Sequence, residues 1–119
     1  MKIALLFSGQ PRNVKQGFEG FKYIQSIYDT DVFCHTYWDE KMIGNEYNSG
    51  PHSGKKYKIE QDAIETINNL YKPKMLLFET PIEITLDRTY KVCMQEKHDL
   101  IVKGFKSKLY SIQRVLALM

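Results

Sequence analysis

The chain has 119 residues, 17 Lys and Arg against 14 Asp and Glu, a net charge of +3 and two cysteines. That length suits one compact domain with a real core. The basic residues are scattered rather than striped, which gives nucleic acid no footprint, and no apolar run is long enough for a bilayer span or fits a leader peptide. A cytoplasmic protein is expected, with Cys34 and Cys93 as free thiols.

Residues 2–7 (KIALLF) are almost wholly apolar, the pattern of a strand covered on both faces. Ser8-Gly9-Gln10-Pro11-Arg12 then interrupts the run, with Pro11 suited to the first position of a helix. Val14, Phe18, Phe21, Ile24 and Ile27 follow at helical spacing. Residues 31–37 (DVFCHTY) read as a second strand, Ile59, Ala63, Ile64, Ile67 and Leu70 as a second helix, and residues 74–79 (KMLLFE) as a third strand. Strand and helix alternating in this way define an α/β protein with a mainly parallel sheet of three or four strands.

Two stretches break the rhythm. Residues 39–56 form a long, flexible Gly-, Asn-, Ser- and Lys-rich loop, and residues 81–90 offer an edge strand in which Ile82, Ile84 and Leu86 alternate after Pro81. Apolar positions from Leu100 to Met119 predict a last helix, with a possible break at Gly104. It ends in Leu116-Ala117-Leu118-Met119 without a stop signal, as in a truncated domain. Leu116, Leu118 and Met119 are therefore expected to meet a second copy or a missing second half.

In open parallel sheets, ligands lie at the carboxyl ends of the strands, where the following helix presents unpaired N–H groups. Ser8, Gly9, Gln10 and Arg12 fall there: Gly9 permits close approach, Arg12 suits a phosphate, and Gln10 can read a base or a sugar. The same residues also read as a tight turn with a solvated arginine. His35 and Trp38 lie at or just beyond the second strand's carboxyl end, and Glu79 ends the third, suited to ribose hydroxyls. Of these, His35 is the only local candidate for a base. Asp29-Thr30-Asp31 has the spacing of a metal pair but precedes its apolar run, which places it at the wrong end of the strand.

The stretches KIALLFSGQPRN, DVFCHTYWD, LYKPKMLLFE and SKLYSIQRVLAL, in that order, resemble the amino-terminal half of a group of bacterial and giant-virus glycosyltransferase-like proteins. The resemblance implies a Rossmann-like, three-layer α/β/α arrangement, a partial GT-A fold. It also implies a UDP- or GDP-linked sugar against Ser8, Gly9, Gln10 and Arg12, with His35 and Trp38 close by. Manganese or magnesium belongs to the complete enzyme of such a family, on an acidic pair that this chain lacks after a later apolar strand. Taken alone, the chain is expected to be inactive. A non-catalytic nucleotide-binding module and a small α/β interaction protein remain the alternatives.

Overall fold

The computed structural model describes residues 1–48, 54–83 and 95–119. Its order is β1 (Lys2–Gly9), α1 (Val14–Ile27), β2 (Asp29–Tyr37), β3 (Glu46–Asn48), β4 (Lys56–Lys58), α2 (Ala63–Thr66, continued by a wide turn at Ile67–Tyr71), β5 (Met75–Glu79) and α3 (Gln95–Ala117). The main sheet is parallel, in the order β1-β2-β5, so the chain is an α/β protein as its periodicity predicts.

β2 is the central strand, and its residues 32–37 are all buried. Its alternation sorts its partners. Val32 packs with Phe21 of α1 and with Tyr71, whereas His35 and Tyr37 reach α3, where the Tyr37 hydroxyl donates to the Ser107 carbonyl at 2.6 Å. β1 is less covered than its apolar run implies: among the described residues it has a strand neighbour on one edge, and Leu6 and Phe7 stay partly exposed.

α1 buries Phe21 completely, which stabilises the fold by roughly 1.5–3 kcal/mol. Phe21 stacks on Tyr71 with ring centroids 5.0 Å apart, and the Tyr71 hydroxyl donates to the Val14 carbonyl at 2.7 Å. Gly17 makes this approach possible, since a Cβ there would stand 3.0 Å from the Tyr71 hydroxyl. Lys72 then leaves the wide turn in the left-handed region, at φ 46°.

The described residues of the segment 39–56, 39–48 and 54–56, carry more order than their composition suggests. Asp39 caps a 3-10 turn at Glu40–Met42, and β3 pairs antiparallel with β4, stacking Tyr47 on Tyr57 at 5.5 Å. Met42, Tyr57, Ile59 and Ala63 form a second small core. Ile59 belongs there, bridged to Ile43, and not to the second helix: the apolar spacing that seemed to include it spans a turn. α3 continues through Gly104 without a break, since one glycine weakens a helix by only about 0.5–1 kcal/mol. Leu116 and Met119 are exposed, but Leu118 is half-buried. The expected strand at 81–90, beyond Glu83, and Cys93 lie outside the described residues. No helix among the described residues is long and apolar enough to cross a membrane.

Candidate functional site

The parallel register sets Ser8 beside His35 and Gly9 beside Thr36, so the carboxyl ends of β1 and β2 form one edge. Gly9 sits at φ 110°, where a side chain would be strained, and it is held from two sides. Its N–H donates to Ser111 Oγ of α3 at 2.8 Å, and its carbonyl accepts from Thr36 Oγ1 at 2.7 Å. Beyond it the chain turns, with the Arg12 N–H on the Gln10 carbonyl, and α1 starts at Val14. Pro11 is not the first helical residue. It is buried in the loop before the helix, and Asn13, at φ 46°, makes the entry. Asn13 gives no side-chain cap and the first turn has no acidic residue, so the leading N–H groups of α1 face solvent or a ligand.

This loop borders a cavity of about 120 Å³, lined by Ser8 to Arg12 and by Tyr71 among others. Arg12 is exposed, and its guanidinium lies 4.6 Å from the centre of the Tyr57 ring. The Tyr57 hydroxyl donates to Gln10 Oε1 at 2.7 Å, so one tyrosine from β4 positions both polar side chains at the cavity mouth.

His35 also borders the cavity, but its ring is fully buried on the α3 side. Nδ1 lies 2.6 Å from Ser111 Oγ, and Nε2 lies 3.8 Å from Glu79 Oε1 without a hydrogen-bond partner. Ser111 Oγ, which accepts from Gly9, keeps a proton and a second lone pair and so can donate to Nδ1 or accept from it; in the tautomer where it donates, the ring proton sits on Nε2, towards the carboxylate. Burial lowers the His35 pKa below its ordinary 6.5 and Arg114 adds to this, against an opposing pull from Glu79, so the ring is neutral near pH 7. Serine, histidine and glutamate in line have the composition of a hydrolytic relay. Both Ser111 and His35 are fully buried, however, and no substrate reaches them. The line fastens α3 to the cavity loop.

Glu79 and Trp38 do not line the cavity. Both Glu79 oxygens are engaged, Oε2 by the Tyr110 hydroxyl at 2.9 Å and Oε1 by Arg114 at 2.8 and 2.9 Å. Burial pushes its pKa up, but the hydrogen bonds from Tyr110 and Arg114 outweigh that and hold it below the ordinary 4.5. Trp38 packs on the small core around Met42 and Tyr57 and meets Phe78 edge-on at 6.1 Å. The structure therefore brings together Ser8, Gly9, Gln10, Arg12 and His35, and sets Trp38 and Glu79 apart. Thr36, Tyr57, Tyr71 and Ser111 complete the surroundings. None stands out in the sequence.

Asp29 and Asp31 lie at the amino-terminal end of β2, away from the cavity, and Asp31 pairs with Lys2 at 3.3 Å and Lys74 at 3.5 Å. Two carboxylates so placed do not fit a diphosphate-bound cation, and no group of three or more His, Cys, Asp or Glu suited to a metal occurs among the described residues. Burial pushes the Cys34 thiol up to about 12, so it is a packing group and not a nucleophile. No family model, no curated protein and no solved structure matches the chain.

Proposed function

We propose that the cavity at the carboxyl edge of β1 and β2 binds the diphosphate of a UDP- or GDP-linked sugar. The chain would then supply the donor-binding part of a glycosyltransferase, in a Rossmann-like three-layer arrangement with α1 and α2 on one side of the sheet and α3 on the other. The observation that carries this reading is the loop itself. A clamped glycine at φ 110° leads to Arg12 and then to the uncapped amino terminus of α1, so Arg12 and the first helical residue, Val14, border one cavity. Gln10, which also lines the cavity and is held by the Tyr57 hydroxyl, adds a positioned amide for the nucleoside.

A second reading, a binding module without catalysis, draws on one specific observation. His35, the only local candidate for a base, is buried and committed to Ser111. Calorimetry with UDP, GDP and their sugar conjugates tests the binding reading. A charge-assisted contact is worth roughly 1.5–3 kcal/mol, so Arg12→Ala should weaken binding about 10- to 150-fold. Equal affinity in the two proteins removes Arg12 from the site, and absence of binding to every nucleoside diphosphate overturns the proposal. Release of nucleoside diphosphate from a sugar conjugate in the presence of simple acceptors separates the transferase from the module.

A further inference from the structure

α3 presents two distinct faces. Ser107, Ser111, Val115 and Leu118 are buried or half-buried, and Ser111 and the Ser107 carbonyl bond to the sheet. At 100° per residue, the positions Val102, Phe105, Leu109, Ile112 and Leu116 fall roughly 150° away from that face. Their spacing of three, four, three and four is the alternation by which two helices interlock, and Met119 continues it just beyond the helix end. A stripe serving only this chain's own core would be covered. Instead Phe105 is 62% exposed, Leu109 48%, Leu116 51% and Met119 66%.

We infer that α3 is a self-association surface, and that its occupant is α3 of a second copy of this chain. The stripe is self-complementary, as a two-fold interface requires. With a fully exposed side chain of this size taken as roughly 200 Å², these four residues leave roughly 450 Å² open. Two copies bury roughly 900 Å² by pairing them, and Ile112 with the stems of Lys106 and Lys108 brings the total near the ~1,200 Å² at which stable interfaces begin. The bordering charges permit this pairing. In a parallel arrangement Lys108 comes opposite the second copy's Gln113, so no like charges meet. Leu118, on the sheet side of α3, takes no part. The surface is independent of nucleotide binding.

Sedimentation equilibrium over a roughly hundredfold range of protein concentration tests this, with a dissociation constant expected on the order of 10–100 µM. Leu109→Glu should leave a monomer with unchanged helical circular dichroism, since position 109 is half-exposed and the new carboxylate sits three residues from Lys106. Leu116→Ser provides a milder variant, expected to weaken association at least tenfold, and Tyr23→Glu, on exposed α1 surface, should change nothing. Raising the salt should preserve or strengthen an apolar pairing. A wild-type monomer at the highest concentration overturns the inference. So does a dimer that survives both α3 substitutions, or one that dissolves as salt is added.

Discussion

Replacing Ser111 by alanine removes one oxygen and strands two buried groups. Ser111 Oγ accepts the Gly9 N–H at 2.8 Å and faces His35 Nδ1 at 2.6 Å, and alanine offers neither group a partner. Each buried polar group left unsatisfied costs about 1–3 kcal/mol, so Ser111→Ala should destabilise the fold by about 2–4 kcal/mol once local relaxation is allowed for. For a domain of this size that corresponds to a fall in Tm of roughly 6–20 °C. Urea denaturation of the wild type, Ser111→Ala, His35→Leu and the double variant gives the coupling directly. The two residues act as one unit, so the double variant should cost less than the two single changes together, by about 1–3 kcal/mol. A loss within about 0.5 kcal/mol for Ser111→Ala, the range of an ordinary surface change, refutes the role given to this contact, as does simple additivity.

The two α1 glycines should respond oppositely to alanine in thermal melts. Gly20→Ala meets nothing within 4 Å and should gain about 0.5–1 kcal/mol, whereas Gly17→Ala should lose stability because Tyr71 is wedged among Phe7, Phe18 and Phe21 and cannot yield. Tyr57→Phe should cost about 0.5–1.5 kcal/mol through the Gln10 bond, and Tyr57→Leu about 1–3 kcal/mol more, because the lost ring lies beneath Arg12, stacks on Tyr47 and fills the small core, both read from urea midpoints. Stability should fall as pH drops below 6.5, because the unfolded chain takes up a proton that buried His35 refuses. A second fall should come below 4.5, where Glu79 stays ionised in the fold but not in the unfolded chain. His35→Leu should flatten the first fall alone, and an unchanged slope would assign it to another histidine.

The parts of the fold legible in the sequence are those with an unmistakable period. The apolar runs of β1, β2 and β5 and the three-and-four spacing from Val14 to Ile27 each admit one reading, and their alternation implies a parallel sheet. At Ser8 to Arg12 the sequence makes legible the break after a strand, while glycine, proline and arginine there read equally as a ligand loop and as a tight turn. What escapes the sequence is produced by contacts between distant segments. Tyr57 looks like any tyrosine in a polar stretch until β4 brings it to Gln10 and Arg12, 47 and 45 residues earlier in the chain. Ser111 reads as a neutral helix residue, since only the packing of α3 makes it the partner of Gly9 and His35. Trp38 and Glu79 mislead for the converse reason. A strand end places a residue at the right edge, but the neighbours it meets decide where its side chain is spent. Trp38 goes to a second core, and Glu79 to Tyr110 and Arg114.

A nucleoside diphosphate held by the β1–α1 loop would be seen residue by residue in the amide resonances of that loop. In a ¹⁵N–¹H titration of the intact chain with UDP or GDP, saturable shifts are expected on Gly9, Gln10, Arg12 and the first-turn amides of Val14, Lys15 and Gln16, with smaller changes at Thr36 and Tyr57. The amides of Asp29 and Asp31, at the opposite end of β2, should stay in place. Saturable shifts centred on Asp29 and Asp31, or a spectrum in which the Gly9 to Gln16 amides do not move at saturating nucleotide, would contradict binding at this loop.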